Sequence, residues 1–157
     1  MTISTNQKAF LDMIAYSEIG PALLAVSDNG YNVIVGSTAS APILFDSYAD
    51  HPNRLIKLNA NLSSTAAGRY QLLHRYYIAY KASLRLPDFS PASQDAIALQ
   101  QIRESRALDD IEAGHVQTAV AKCSHIWASL PGSQYGQHTN QLAALESAYQ
   151  KAGGTFA

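Results

Sequence analysis

The 157-residue chain is short of several things, and each shortage removes a class of function. One cysteine, Cys123, excludes an intramolecular disulfide, so folding needs no oxidising compartment. No apolar run approaches the ~20 residues that span a bilayer. The opening "MTISTNQKAF" lacks the basic-then-apolar order of a secretory signal. Charged residues make up only 15%, with a formal net charge of −1, which gives no general pull toward nucleic acid or an anionic membrane. The 5 histidines are scattered, with no pair at the i, i+4 spacing of a helical zinc site. Cys123 and His125 lie two apart, which on a helix points them to different sides. Ordinary core and surface histidines are therefore expected, with no metal and no cofactor. A glycine-rich phosphate loop and a G-x-S-x-G elbow are also missing, which removes the usual support for nucleotide or serine-hydrolase chemistry.

What is present is apolar: 47% of the chain, enough for one sizeable core. No repeat, low-complexity tract or composition break marks a linker, so a single domain over residues 1–157 is expected. Ser4 followed by Gln7 makes a capping box that opens a first helix, with Phe10, Met13 and Ile14 at helical spacing. Gly20 and Pro21 end it. "DNGYNVIVG" predicts a short strand, with "ILFDSY" as its hairpin partner and "DHPNRLIKLNANLSS" as an irregular edge. Helices dominate beyond Thr65. Tyr70, Leu73, Tyr77, Tyr80 and Leu84 mark one long face, Ser90-Pro91 opens another helix, and others fall near 107–113, 116–129 and Leu142 to Tyr149. The expected class is α+β, mostly helical with one small antiparallel sheet near the N-terminus.

In "AYSEIGP", Glu18 shares a face with Leu11 and Ile14 on the last helical turn. Two readings stand. It is a solvated helix-end carboxylate, or a general acid whose charged form is disfavoured by burial and by the negative helix end. "STAAGRYQLL" places Gly68, Arg69, Tyr70 and Gln71 at a helix mouth, and "SLPGSQYGQ" places Tyr135 and Gln137 on a glycine-containing loop. Tyrosine and glutamine join flat apolar faces to neutral hydrogen-bonding groups, which suits uncharged sugars. Tyr76, Tyr77 and Tyr80 are expected in the core.

"QKAFLDMIAYSE", "GYNVIVG", "STAAGRYQLL", "DFSPASQDAIALQQI" and "IWASLPGSQYGQ", in this order from about Gln7 to Thr155, resemble the lambda-type endolysins. The resemblance implies a lysozyme-like fold and a lytic transglycosylase. Such an enzyme cuts the bond between N-acetylmuramic acid and N-acetylglucosamine, and the muramic acid's own C6 hydroxyl closes a 1,6-anhydro ring. Glu18 matches the family's catalytic glutamate. Tyr70, Gln71, Tyr135 and Gln137 match segments expected to bind sugar, with Arg69 as a further candidate and Trp127 expected to pack. One carboxylate suffices in this scheme, since the nucleophile is tethered within the substrate. The alternatives are a hydrolysing muramidase, with Asp28, Asp46 or Asp50 activating water, and a module that binds peptidoglycan without cutting it.

Two departures stand out: Asn32 sits where the family carries Asp, and "STASAPI" (37–43) reads as an insertion. The resemblance also implies a monomer acting on peptidoglycan glycan strands, without nucleic-acid partners or stable membrane association. It would accumulate in the host cytoplasm and reach the periplasm through a membrane lesion made by a holin.

Overall fold

The computed structural model describes residues 2–132 and 140–157. Its elements are α1 (Thr5–Glu18), α2 (Pro21–Ala25), β1 (Ile56–Asn59), β2 (Leu62–Ser64), α3 (His74–Leu84), α4 (Pro91–Glu104), α5 (Leu108–Glu112), α6 (Val116–Cys123) and α7 (Leu142–Lys151). They fall into two compact units, Met1–Glu18 with Ala98–Ala157, and Ile19–Ile97.

The first unit is helical and built around α1. Ser4 caps that helix as its sequence predicts: the Gln7 N–H donates to Ser4 Oγ at 3.0 Å, and the Ser4 N–H donates to Gln7 Oε1 at 3.4 Å. Ala9, Phe10, Leu11, Met13, Ile14 and Ala15 are all buried, so the middle of α1 is enclosed over most of its circumference while its two ends are polar. It packs on α7 and α5. Ile102, Ile111, Val120, Trp127, Leu145 and Tyr149 close the core, and Trp127 is buried as expected. Helix α6 is shorter than its pattern implied. It stops at Cys123, where the Ser124 hydroxyl donates to the Ala121 carbonyl, and turns carry the chain on to Leu130.

In the second unit Gly20 and Pro21 end α1, but Pro21 also starts α2 at its first position, where a missing N–H costs nothing. The sheet is antiparallel, but it is not built from the expected strands. Its two strands come from the supposed irregular edge, with Ile56 opposite Ser64 and Asn59 opposite Leu62. The Asn61 N–H donates to Asn59 Oδ1 at 2.8 Å, an Asx turn that closes the hairpin. The segment 28–36 makes only isolated bridges, Val33 to Leu44 and Ile34 to Ala67. The reason is local. Gly30 and Gly36, both at φ 86°, bound the extended stretch, and the Ser37 hydroxyl bonds the carbonyls of Ile34 and Ile43 where a ladder would continue. Ile34, Phe45, Leu72, Tyr77 and Phe89 form the core here, with the Tyr77 and Phe89 rings edge-to-face at 5.0 Å.

Candidate functional site

Glu18 is the last residue of α1 and of the first unit. The residue is half-buried, yet its carboxyl lies deep among protein atoms. Burial drives its pKa up from the ordinary carboxylate range, and hydrogen bonds from the Ser129 hydroxyl and backbone N–H pull in the opposite direction. The Ser129 hydroxyl donates to Glu18 Oε2. Behind it stands Ser17, its Oγ 2.7 Å from Ser129 Oγ. Asn140 Nδ2 donates to Ser17 Oγ at 3.0 Å and to the Ser17 carbonyl at 3.2 Å. Every partner of the carboxyl among the described residues is thus a neutral donor. A carboxyl so held keeps its orientation in either protonation state, as an acid that must later become a base requires.

Sequence reasoning singled out Glu18 as a candidate but not the groups that hold its carboxyl. Ser17 is adjacent in the chain, but Ser129 lies 111 residues away, and nothing in its surroundings marks it as a carboxyl partner.

The second unit carries a different arrangement. Gly68 to Gln71 is not a helix mouth but a tight loop between the bridged residues Ala67 and Leu72, and α3 begins only at His74. Gly68 has φ 85°, and a Cβ there would lie 2.4 Å from Gln94 Oε1, so the loop requires glycine. Gln94 in turn accepts from the Arg69 N–H at 2.9 Å and donates to the carbonyls of Tyr31 and Phe89. Arg69 and Tyr70 are both buried. The Tyr70 hydroxyl donates to Asp95 Oδ1 at 2.6 Å, and the Tyr31 hydroxyl donates to the same oxygen at 3.0 Å. The Arg69 guanidinium donates to the Tyr70 oxygen at 3.1 Å and to the Asn29 carbonyl at 3.0 Å, with its carbon 5.2 Å from the Tyr31 ring centre. Burial first, then the Asp95 charge, pushes Tyr31 up to about 12 and raises Tyr70 well above the usual phenol range.

The expectation that Arg69 and Tyr70 reach out to sugar therefore meets buried side chains engaged inside their own unit. The GRYQ pattern spoke for residue types, and tertiary contacts turned them inward. Gln71 is half-buried at φ 51°, and its amide nitrogen donates to the Gly68 carbonyl at 2.8 Å. Its amide oxygen has no hydrogen-bond partner among the described residues. Tyr135 and Gln137 lie outside the described residues.

Of the alternative carboxylates, Asp28 accepts from the Tyr48 hydroxyl at 2.5 Å, Asp46 is exposed, and Asp50 bonds the His51 N–H at 3.0 Å. Asn32 Oδ1 accepts from the Asp28 N–H at 2.9 Å, a turn bond that an aspartate would make equally well. The change from the family residue thus keeps the local geometry and removes a charge. Among the described residues no three His, Cys, Asp or Glu side chains gather as a metal ion would need.

A family model described as Endolysin matches residues 8–156. The endolysin of Escherichia phage lambda is 49% identical over 154 residues, covering 98% of this chain and 94% of that protein. The endolysin of Escherichia phage P2 is 47% identical over 160 residues, covering 97% of this chain and 96% of its own. A solved structure of bacteriophage lambda lysozyme complexed with a chitohexasaccharide superposes with a TM-score of 0.93 at 48% identity, over 100% of this chain and 99% of that one. A second solved lambda lysozyme gives a TM-score of 0.84 at 47% identity, again over 100% and 99%.

Proposed function

The chain belongs to the endolysin family, and from that membership we propose that it degrades the bacterial cell wall as a lytic transglycosylase during host lysis. Its fold is lysozyme-like, mostly helical with one small antiparallel sheet. The substrate is the β-1,4 bond between N-acetylmuramic acid and N-acetylglucosamine. Support for a glycan ligand comes from the lambda lysozyme structure, which holds a chitohexasaccharide.

The observation that carries the reading is the desolvated Glu18, surrounded among the described residues by neutral donors. Protonated Glu18 gives its proton to the glycosidic oxygen as the bond to the muramic acid C1 breaks. The C6 hydroxyl of the same sugar then closes on C1, and Glu18, now a carboxylate, takes the hydroxyl proton. The ring closure returns the enzyme to its starting state and consumes no water. The attacking oxygen is already tethered to the reacting carbon's ring, so proximity supplies much of what a second carboxylate supplies in a hydrolase. From the family resemblance, Gln71, Tyr135 and Gln137 are the proposed sugar-binding residues. Arg69 and Tyr70 contribute by holding the loop that bears Gln71.

The same reading extends to the cellular setting. The protein is made in the host cytoplasm, reaches the periplasm through a holin lesion, and acts there as a monomer on glycan strands, without cofactor, nucleic acid or lasting membrane contact. No helix among the described residues is long and apolar enough to cross a membrane on its own.

The test is mass spectrometry of the fragments released from purified peptidoglycan by the wild type and by Glu18→Gln. Anhydro-muramic ends from the wild type alone are expected. Reducing ends would establish a muramidase and move attention to Asp28, Asp46 and Asp50. Retained binding to the wall with no fragments from either protein would leave a binding module.

A further inference from the structure

When Glu18 is ionised, the bonds behind it run in one direction, set by the Asn140 amide at one end and the carboxylate acceptor at the other. Asn140 Nδ2 lies 3.2 Å from the Ser17 carbonyl, which can only accept, so this nitrogen is the donor and the amide orientation is settled. The same nitrogen donates to Ser17 Oγ at 3.0 Å. The Ser17 hydroxyl hydrogen is then available to Ser129 Oγ at 2.7 Å, and the Ser129 hydroxyl donates to Glu18 Oε2. The Asn140 backbone N–H also donates to the Ser129 carbonyl at 2.8 Å, so one residue grips both serines. The order runs Asn140, Ser17, Ser129, Glu18, with each hydrogen pointing toward the carboxyl.

Resting on the acid–base role given to Glu18 above, we propose that Ser129, oriented by Ser17 and Asn140, is a positioning residue. It keeps Glu18 Oε2 a permanent acceptor and so reserves Oε1 as the oxygen that exchanges the proton with substrate. A proton on Oε2 would reverse the bond to Ser129, whose hydroxyl would turn to Ser17 Oγ and leave the Ser17 hydrogen without an acceptor within this chain of groups. On Oε1 it leaves every bond in place. A hydroxyl in this position selects the oxygen without fixing the charge, whereas a lysine or arginine would hold the group ionised.

The charged and titratable groups on the helices packed against α1 are engaged or exposed. On α5, Glu112 accepts from Ser4 at the opposite end of α1, Asp110 pairs with Lys122 of α6 and Asp109 is exposed. On α7, Glu146 accepts from Gln117, Tyr149 donates to the Thr155 carbonyl and Lys151 is exposed. On α1 itself, Asp12 pairs with Lys8. Among the described residues, Ser129 is the one whose groups bond the Glu18 carboxyl.

The experiment uses the full chain with carboxyl-labelled glutamate. It follows the Glu18 carbon resonance through a pH titration alongside the pH profile of kcat/KM on purified glycan strands. Removing the Ser129 donor takes away a bond that favours the ionised form, so in Ser129→Ala the Glu18 titration moves to higher pH. The alkaline limb of kcat/KM moves with it, because the protonated acid persists further. Turnover at the optimum falls about tenfold, the usual weight of one hydrogen bond to a charged group, and KM holds. Ser129→Thr, which restores the hydroxyl, restores both readouts. Asn140→Ala moves the titration less, in the same direction.

A folded Ser129→Ala protein whose Glu18 titration stays in place overturns the proposal, and so does a loss of turnover without that movement. If Ser129→Ala does not fold, an unmoved titration in Asn140→Ala overturns it instead. Failure of the underlying reading is separately visible. If Glu18→Gln cuts as fast as the wild type, Oε1 has no catalytic proton to reserve, whatever the titration shows.

Discussion

Each unit of the molecule withdraws one carboxyl from solvent and surrounds it with donors, and the two are treated in opposite ways. Glu18 meets a serine hydroxyl and a backbone N–H among the described residues, so burial is opposed only by neutral groups and the acid form stays accessible. Asp95 receives two phenol hydroxyls, one of which is also bonded by the Arg69 guanidinium, and its negative charge raises both phenols. The first arrangement suits a group that changes charge, as the proposed role of Glu18 requires. The second uses a standing charge to tie a turn to a helix. At Glu18 burial outweighs the neutral donors and the net shift is upward, so depth and donors together set what a carboxyl can do.

The comparison breaks first at Glu18. Glu18→Gln should lower fragment release from peptidoglycan by about a thousandfold, within the range of general acid–base catalysis, while circular dichroism stays native. A smaller loss would mean that the carboxyl is not the proton carrier.

Next is the opposite pole. Asp95→Asn should cost about 2 kcal/mol in urea unfolding, because the Tyr31 and Tyr70 hydroxyls lose a charged acceptor. Activity per folded molecule should hold. A drop in activity larger than the loss of folded protein would show that this network touches substrate. Tyr70→Phe, which removes one donor and keeps the ring, should cost about 1 kcal/mol and leave KM unchanged. A raised KM would return Tyr70 to the sugar-binding set.

The subtlest difference concerns pH. Glu18 has a folded pKa raised above its unfolded value, so its contribution to stability is fully present below the ordinary carboxylate range. That contribution is lost as pH rises through the folded pKa. The neutral Glu18→Gln should therefore melt higher than wild type at pH 7, and the gap should close at low pH. Equal melting temperatures at both pH values would mean that the carboxyl is not desolvated in solution.

Helix starts and the candidate acid, Glu18, were legible before any coordinates. The Ser4–Gln7 capping box and Ser90-Pro91 each mark a helix start, because caps depend on residues three or four apart. Glu18 stood out because it lies on an apolar face at a helix end, a local property. The sheet was misplaced because β-branched "YNVIVG" has strand propensity, yet Gly30, Gly36 and the Ser37 hydroxyl stop its ladder, while the polar "IKLNANLSS" closes through an Asx turn. The GRYQ residues were read from their types, which say what a side chain can bind, whereas the burial of Arg69 and Tyr70 and the half-exposure of Gln71 came only with the fold.

The sequence by itself therefore determined the family, most of the helical frame, the absence of an intramolecular disulfide, and the carboxyl that we propose as the acid. All of these rest on composition or on neighbours within a turn or two of helix. Only the tertiary structure brought Ser129 to Glu18 across 111 positions and turned Tyr31, Tyr70 and Arg69 toward Asp95. The reason is physical. A hydrogen bond between distant residues depends on where packing of the intervening chain delivers them, and no local pattern of side chains encodes that position.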